Sequence, residues 1–445
     1  MVCAAHATYV FDFPLLTAKD WLLANIGQLR SNHLSYFLPV CACLKTIWHQ
    51  SSLNSLVLKP SWDIFCRIVD NFGDIGVCWR LAKQLHIEHG IAIRLWIDDL
   101  NAAQKIIPSL SVELNQQVID EIAILKWHAD ADFTVAADVV IEAFACELPT
   151  AYINAMAQKK SKWINLEYLS AESWVADFHA KPSPQANGLT RYFYFPGFAE
   201  ETGGLIREAN INKFDNNQNH PNSSFPRKRE SILDGNSTWI PAFAGMTESE
   251  AFENCLKISL FCYPNAPILD LLIALQADKN KVTVYIPVSG ILSKVADYFG
   301  VENIEIGQTF IKDNLTIEAL PFLSQNDYDK LLCGCDINFV RGEDSWVRAI
   351  WAAKPFIWQP YFQEENTHIK KLDAFLALFY AKLDAKHSIF EMHANWVGQQ
   401  LLSGVVHDYL NDLSQISDYT FRQSQQLAKQ TDLATKLVTF CNKIA

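Results

Sequence analysis

The feature that most constrains this chain is an alternation of strand-like and helix-like segments that begins at Trp62. A run of β-branched and aromatic residues at 62–69 precedes a helix-like segment at Val77–His89, and a second strand-like run follows at 91–97. Apolar residues recur every four positions of the helix-like segment, at Val77, Leu81 and Leu85. That spacing places them on one buried helix face, and the alternation predicts βαβ units with a mostly parallel sheet.

The alternation occurs in two series, which are separated by a polar stretch at 210–253 that is rich in Asn, Ser and Pro. Further strands are predicted at 133–144, 161–169, 255–263, 281–288, 336–340 and 355–361, and helices at 366–382 and 395–443. A chain of 445 residues is also too long for one ordinary core. The sequence therefore predicts an α/β protein in which two Rossmann-like domains face each other across a cleft, with ligands at the carboxyl ends of the strands.

The domain boundaries follow from these shifts in pattern. We predict an atypical N-terminal extension at 1–60, a first Rossmann-like domain at 61–208, a linker at 209–254, a second Rossmann-like domain at 255–430, and a C-terminal helix at 431–445 that can return to the first domain. Within the linker, residues 224–247 resemble the translated product of a dispersed bacterial repeat element. This insert is expected to be a solvent-exposed loop and not a basic recognition patch.

Composition argues against several classes of protein. The formal net charge of −12 argues against nucleic-acid binding, which calls for basic surfaces. No apolar run approaches the roughly 20 residues that span a bilayer, and the N-terminus lacks the pattern of a signal peptide, so a cytoplasmic protein is expected. The 11 Cys include the pairs Cys41/Cys43 and Cys333/Cys335, but no second pair or His cluster completes a zinc site. Buried, reduced thiols are expected.

Two aspartates lie where the first strand passes into the first helix, in the stretch IVDNFGDIGV at 68–77. Gly73 and Gly76 indicate that the residues between Asp70 and Asp74 are not all helical. One interpretation makes Asp74 a helix N-cap and Asp70 a turn residue. The other makes both of them functional carboxylates. The glycines form neither a dinucleotide-binding fingerprint nor a P-loop.

A second constellation is the block Arg341-Gly342-Glu343-Asp344-Ser345, which follows a predicted strand and precedes a helix. Arg341, Gly342 and the helix N-terminus suit a diphosphate, because a guanidinium, free N–H groups and the helix dipole all favour an anion. Glu343 and Asp344 add negative charge there and are better suited to hydroxyl groups of a ribose or sugar. The alternative interpretation is a capped helix with a surface arginine.

Aromatic and amide side chains near the same predicted strand ends are further candidates. Phe261 and Tyr263 end the first strand of the second series, where they can stack on a nucleobase, line a sugar pocket or simply pack in the core. Gln325 and Tyr328 precede a later strand and can face the same cleft. Each of these signals is weak alone.

Taken in order, several stretches resemble the EarP family of protein-arginine rhamnosyltransferases, which modify elongation factor P. These stretches are SWDIFCRIVDNFGDIGVCWRLAKQL, RLWIDDL, WINLEYLSAESWV, YFYFPGF, GGLIRE, LFCYPNAP and RGEDSWVRAIWAAKPFIWQPYFQEENTH, which lie between residues 61 and 368. The resemblance implies a GT-B glycosyltransferase fold, an inverting mechanism, dTDP-β-L-rhamnose as donor, and no metal or other cofactor. The implied partner is elongation factor P, modified at one arginine and thereby activated to rescue ribosomes stalled at polyproline.

The resemblance also implies roles for individual residues. Asp70 and Asp74 match the family's catalytic carboxylates, with Asp74 as general base, and Glu343 matches a second essential acid. The nucleotide and its diphosphate would be bound by Phe261, Tyr263, Gln325, Tyr328, Arg341, Gly342, Asp344 and Ser345, with Tyr328 standing where the family has Phe. Two alternatives remain open at this point: a GT-B nucleotide-sugar epimerase, which needs no protein acceptor, and a catalytically impaired binder of elongation factor P.

Overall fold

A computed structural model describes residues 60–69, 72–211 and 255–444 of the chain. Asp70, residues 1–59 of the predicted extension and the whole 224–247 insert therefore lie outside the described residues. We refer to the described residues before 212 as the N-terminal half and to those after 254 as the C-terminal half.

The N-terminal half is built on an eight-stranded sheet with the order β3-β4-β2-β1-β5-β6-β8-β7. Its strands are β1 Ser61–Cys66, β2 Ala92–Ile97, β3 Gln116–Ile119, β4 Ile122–Lys126, β5 Val139–Ala143, β6 Lys162–Leu166, β7 Lys181–Pro184 and β8 Thr190–Tyr194. Only the edge pairs β3–β4 and β7–β8 are antiparallel in this sheet. Its helices are α1 Gly73–His89, α2 Leu100–Ile106, α3 Thr150–Lys159 and α4 Val175–Phe178.

The C-terminal half is built on a six-stranded sheet with the order β11-β12-β10-β9-β13-β14, in which only β11–β12 is antiparallel. Its strands are β9 Cys255–Leu260, β10 Lys281–Pro287, β11 Thr309–Lys312, β12 Leu315–Leu320, β13 Ile337–Arg341 and β14 Phe356–Gln359. Its helices are α5 Ile268–Gln276, α6 Leu292–Phe299, α7 Gln325–Gly334, α8 Asp344–Ala352, α9 Thr367–Phe379, α10 Lys386–Val397, α11 Ser403–Asn411, α12 Leu413–Leu427 and α13 Leu433–Lys443.

Each sheet has one central strand at which the direction of winding reverses. In the N-terminal half β1 lies between β2 and β5, and in the C-terminal half β9 lies between β10 and β13. Successive βα units run away from these strands on both sides, which opens a crevice at their carboxyl ends. Asp74 lies in the first turn of α1 after β1, Phe261 follows β9, and Arg341 ends β13. The fold thus brings both sequence constellations to the two crevices.

The first helix begins earlier than its apolar pattern predicts, and, as predicted, the residues between Asp70 and Asp74 are not all helical, because Phe72 precedes the helix. Helix α1 starts at Gly73, so Gly73 and Gly76 are both helical. Gly76 has a packing role: a Cβ atom placed on it would lie 3.3 Å from Cβ, Cγ and Oδ2 of Asp344 in the opposite half. The missing side chain therefore allows the two halves to approach each other closely.

The last helix, α13, contacts the N-terminal half. The Leu433 amide donates to the carbonyl of Leu205 (2.9 Å), and Lys162 Nζ donates to the carbonyl of Cys441 (2.8 Å). Helix α13 also packs against α1. None of the helices in the described part of the chain is both long and apolar enough to cross a membrane.

Candidate active site

Two adjoining cavities lie between the halves and share the backbone of Gly73 and Gly342. The first, of about 690 Å³, is called the basic pocket because two arginines line it. Its lining includes Phe72, Arg80, Phe261, Phe322, Gln325, Tyr328, Arg341, Asp344 and Ser345. The second, of about 760 Å³, is called the acidic pocket because two carboxylates line it. Its lining includes Val69, Asp74, Phe144, Tyr168, Glu343, Trp346, Tyr361, Gln363 and Lys371.

Arg341 is held by aromatic rings at the base of the basic pocket. Its guanidinium carbon lies 4.4 Å from the ring centre of Phe261 and 4.7 Å from that of Tyr263, which are cation–π distances. The Tyr263 amide donates to Gln359 Oε1 (2.8 Å). Tyr263 lines neither pocket and packs against Arg341 instead. The other predicted nucleotide-binding residues all line the basic pocket.

The turn from β13 into α8 forms an anion-binding geometry. Gly342 adopts a φ of +62°, a left-handed conformation that glycine accepts without steric cost. The Arg341 amide donates to Ser345 Oγ (3.2 Å), and the Ser345 hydroxyl donates back to the Arg341 carbonyl. The turn is thereby closed, and Gly342, Asp344 and Ser345 bring the N-terminus of α8 to the wall of the basic pocket. A helix N-terminus favours an anion such as a diphosphate.

Helix α7 supplies the polar and aromatic wall of the same pocket. Gln325 donates through Nε2 to the carbonyl of Gly76 (3.0 Å), while its buried Oε1 has no hydrogen-bond partner among the described residues. The Tyr328 ring packs edge-on against Phe261 with centroids 5.6 Å apart. Burial raises the pKa of the Tyr328 hydroxyl, so this group stays neutral. The pocket thus combines the rings of Phe261 and Tyr328 with the amide oxygen of Gln325 that is unpartnered among the described residues. This combination suits a nucleobase.

Asp74 lies in the first turn of α1 and is 2% exposed. Its Oδ2 accepts from the Val69 amide (2.7 Å) and its Oδ1 from the Tyr168 hydroxyl (3.2 Å). The interpretation of Asp74 as an N-cap is therefore wrong: Phe72 occupies that position, and the carboxylate binds groups outside its own helix. The helix instead presents this acid to the acidic pocket.

Glu343 reaches the acidic pocket from the opposite half. Its Oε2 accepts from the Leu169 amide (2.9 Å). Burial raises the pKa of the Glu343 carboxyl to about 8, with Asp74 and Asp344 adding to the increase, while the Leu169 amide and Lys371 act in the opposite direction. The group is therefore largely protonated at neutral pH, and a cation bound beside it would favour ionisation.

The two neighbouring acids Glu343 and Asp344 lie in different pockets, although both directly follow the Arg341-Gly342 turn. Glu343 turns toward Leu169. Asp344 Oδ1 accepts from Arg80 Nε at 2.7 Å, so its charge is paired. The direct contact of Asp344 in this structure is with Arg80; its predicted contact with the nucleotide remains a prediction.

Sequence reasoning missed several lining residues, among them Arg80, Phe144, Tyr168 and Lys371. Phe144 and Tyr168 stack with centroids 4.4 Å apart, and Lys371 Nζ lies 5.6 Å from the Tyr168 ring centre. Tyr168 shortly follows the end of β6, where the carboxyl-end rule could have found it. Arg80 stands in the apolar run VCWRLA, and a charged residue in such a run signals a buried ion pair.

Among the described residues, one group with metal-like spacing consists of Glu88, His89 and Asp432. Asp432 already caps α13 by accepting from the Thr435 amide, and Glu88 accepts from the Ala209 amide. These residues do not line either pocket. None of the eight cysteines in the described ranges is disulfide-bonded to another described residue.

Comparisons with known proteins agree with this geometry. Residues 62–442 match the family described as elongation factor P (EF-P) rhamnosyltransferase EarP. A protein-arginine rhamnosyltransferase from Pseudomonas aeruginosa is 41% identical over 384 residues, which cover 85% of this chain and 98% of the relative. One from Shewanella oneidensis is 36% identical over 398 residues, which cover 86% and 98% respectively.

A solved structure described as the structural basis for EarP-mediated arginine glycosylation of translation elongation factor EF-P is also similar. It shares 29% sequence identity and a TM-score of 0.58, and the match covers 87% of this chain and 100% of that one. Together with the two opposed, mostly parallel sheets, this likeness confirms the predicted GT-B fold. The chain belongs to the EarP family of elongation factor P rhamnosyltransferases.

Proposed function

We propose that this protein transfers rhamnose from dTDP-β-L-rhamnose to an arginine side chain of elongation factor P, with inversion at the sugar carbon and without a metal ion. The observation that carries the proposal is the pair of adjoining pockets of opposite character, which meet at Gly73 and Gly342. A diphosphate donor and a guanidinium acceptor have opposite charges, so each suits one of the two pockets. Curated relatives that carry the name protein-arginine rhamnosyltransferase support the same assignment.

In this proposal the basic pocket binds the nucleotide. The thymine base lies among Phe261, Tyr328 and Gln325, whose open amide oxygen can accept from the base N–H. The diphosphate lies against Arg341 and the N-terminal amides of α8. As the sugar–phosphate bond breaks, negative charge grows on the leaving oxygen, and these fixed donors stabilise it.

The acidic pocket binds the acceptor. A guanidinium has a reference pKa of about 12.5–13.8, so a carboxylate cannot deprotonate it in the ground state. We infer that Asp74 orients one nitrogen of the guanidinium by a charge-assisted hydrogen bond, fixed in turn by Val69 and Tyr168. The Asp74 carboxylate accepts the proton only as the carbon–nitrogen bond forms, when that nitrogen becomes acidic.

The bond changes balance without a further reactant. A guanidinium nitrogen attacks the anomeric carbon from the face opposite the diphosphate, the carbon–oxygen bond breaks, and dTDP leaves with the bonding electrons. The attacking nitrogen loses one proton to Asp74. Attack from the opposite face converts the β-linked donor into an α-linked product. We propose that Asp70 assists Asp74 and that Glu343 holds the guanidinium as a second carboxylate.

The test is intact-mass spectrometry of unmodified elongation factor P from the same organism, incubated with this protein and dTDP-rhamnose, with and without EDTA. The expected result is the gain of one deoxyhexose mass, unchanged by EDTA and lost in Asp74→Asn. An NMR coupling measurement on the product then distinguishes the α from the β linkage. Loss of the mass gain in EDTA, with recovery on adding Mg²⁺, would contradict the metal-free part of the proposal.

The same experiment separates the alternatives. Consumption of dTDP-rhamnose without elongation factor P would indicate an epimerase. Binding of dTDP and of elongation factor P without any mass gain would indicate an impaired binder. We propose a cytoplasmic location, because the proposed acceptor is a translation factor.

A further inference from the structure

Arg80 joins the two halves beside the basic pocket. It lies on α1 in the N-terminal half, is 2% exposed and lines the pocket. Its Nε donates to Asp344 Oδ1 (2.7 Å), and its two Nη atoms donate to the two oxygens of Asp329 (3.0 Å each). Both aspartates belong to the C-terminal half, so one side chain contributes three hydrogen bonds across the interface.

Two further charges complete what we call the cross-cleft cluster, which consists of Arg80, Asp329, Asp344, Arg348 and Glu208. Arg348 donates to both oxygens of Asp329 (3.0 and 2.7 Å) and to Glu208 (2.5 Å). Three carboxylates thus face two guanidiniums. The carboxylates raise the pKa of Arg80 despite its burial, so this guanidinium stays charged and each carboxylate has a cation beside it.

Asp344 is the member of the cross-cleft cluster whose charge would affect the binding of a diphosphate donor. It is the first residue of α8, directly beside the amides and the Arg341 guanidinium that suit a diphosphate. Both of its oxygens face α1: Oδ1 accepts from Arg80, and Oδ2 lies 3.3 Å from the position of a Cβ on Gly76. An unpaired carboxylate at this place would repel a bound diphosphate.

We propose that Arg80 is a positioning residue for the donor: it neutralises Asp344 and turns it toward α1, so that the diphosphate site is completed by a side chain from the acceptor half. This inference rests on the proposed function, because it takes a nucleoside diphosphate as the ligand of the basic pocket. Its consequence is that donor affinity depends on contact between the two halves. A donor would therefore bind tightly only where the acceptor pocket is also assembled.

The test is isothermal titration calorimetry with dTDP, dTMP and thymidine, which needs no acceptor. Arg80→Gln is expected to weaken dTDP about tenfold or more, as loss of a charge-assisted contact does, to weaken dTMP less, and to leave thymidine unchanged. Asp344→Asn added to Arg80→Gln is expected to restore dTDP affinity to within about threefold of the wild type, because the repelling charge is gone. Asp344→Asn alone is expected to bind dTDP as tightly as the wild type or more tightly.

Matched controls separate this role from simple stabilisation. Arg94 also forms a two-point ion pair with a buried carboxylate, Asp63 (2.7 and 2.6 Å), but lines neither pocket. Arg94→Gln should lower the melting temperature and leave dTDP affinity unchanged. If Arg80→Gln does not fold, Arg80→Lys keeps the neutralising charge but not the fork of hydrogen bonds. Asp344→Asn alone then decides the sign of the Asp344 contribution.

Each other result overturns the inference. A double variant that binds dTDP as weakly as Arg80→Gln would mean that Arg80 acts directly on phosphate or only on folding. A loss of dTDP affinity in Asp344→Asn alone would mean that Asp344 itself holds the donor. Wild-type protein that does not bind dTDP would overturn this inference and the proposed function together, whereas binding without sugar transfer would overturn the proposed function alone.

Discussion

The two pockets are built from the same local architecture, but their aspartates have different kinds of partner. Each lies where a parallel strand passes into a helix, β1 into α1 and β13 into α8; β1 is the reversal strand of its sheet, and β13 lies next to the reversal strand β9. Each helix carries an aspartate in its first turn, Asp74 in α1 and Asp344 in α8. Asp74 accepts hydrogen bonds from a backbone amide and a tyrosine hydroxyl of its own half. Asp344 is paired with an arginine.

This difference shows that residue type and helix position do not decide the role of a carboxylate. The groups that each carboxylate contacts decide it. Asp74 accepts from Val69 and Tyr168 of its own half, whereas the charge of Asp344 is paired with Arg80 of the opposite half. Sequence-adjacent Glu343 accepts from the Leu169 amide of the opposite half and lies in the acidic pocket. The predictions below change one pocket at a time.

The largest effect is expected from Asp74→Asn. Transfer should fall by about 10³-fold or more, because the proton acceptor and the orienting charge are lost together. The dissociation constant of dTDP should stay within about threefold, because Asp74 lies outside the basic pocket. Intact-mass kinetics and calorimetry measure the two quantities.

Asp98→Asn is the matched control for this change. Asp98 also accepts from a backbone amide of the same loop, that of Ile68 (3.0 Å), but it lines neither pocket. Its replacement should leave transfer unchanged. Equal loss of transfer in both variants would mean that Asp74 supports the loop and not the reaction.

Arg341→Gln changes the basic pocket. It should weaken dTDP about 10- to 100-fold, as removal of a charge-assisted contact to phosphate does, and leave thymidine affinity unchanged. The binding constant of elongation factor P should not change, because the acidic pocket is intact. The exposed Arg422→Gln serves as the surface control. A uniform loss of dTDP and thymidine affinity would indicate collapse of the Phe261 platform instead.

Glu343→Gln tests the electrostatics of the acidic pocket through stability. The folded pKa is raised from 4.5 to about 8, so between these values the folded state holds a proton that the unfolded state has released. Wild-type stability should therefore fall as pH rises through this window, and the variant should lack that part of the dependence. Between pH 4.5 and pH 8 the stability difference should shift in favour of the variant by about 4 kcal/mol.

Chemical denaturation at pH 4.5, 6 and 8 measures this difference, with the exposed Glu113→Gln as control. The stability gap between wild type and Glu343→Gln should widen from pH 4.5 to pH 8, while the gap for Glu113→Gln stays constant. A constant gap for both variants would show that Glu343 ionises normally. The same variant should also bind elongation factor P more weakly, since it cannot offer a charge to the guanidinium.

The sequence predicted the strand ends that carry the site but not the contacts between halves. The runs before Phe261 and Arg341 predicted strands correctly because both contain β-branched, aliphatic or aromatic residues and end next to buried positions. The antiparallel edge pair β11–β12 went unseen, since β11 is short and mostly exposed. Arg80 was passed over because its partners lie 249 and 264 residues away in the chain, and pairing at that distance leaves no local pattern.

Gly76 is a second residue whose contact across the halves leaves no local pattern, and its replacement gives the smallest of the expected effects. A glycine ahead of an apolar helix is normally taken to predict a break. In the structure Gly76 instead leaves room for Asp344, whose atoms would lie 3.3 Å from a Cβ at this position. Gly76→Ala should weaken dTDP a few-fold and gain none of the roughly 0.5–1 kcal/mol that alanine normally adds to a helix. Gly404→Ala, in α11 with nothing within 4 Å of its Cβ position, should gain that stability and keep dTDP affinity. If both alanines stabilise equally, α1 and α8 have room to separate, and the close approach of the two halves does not control the donor pocket.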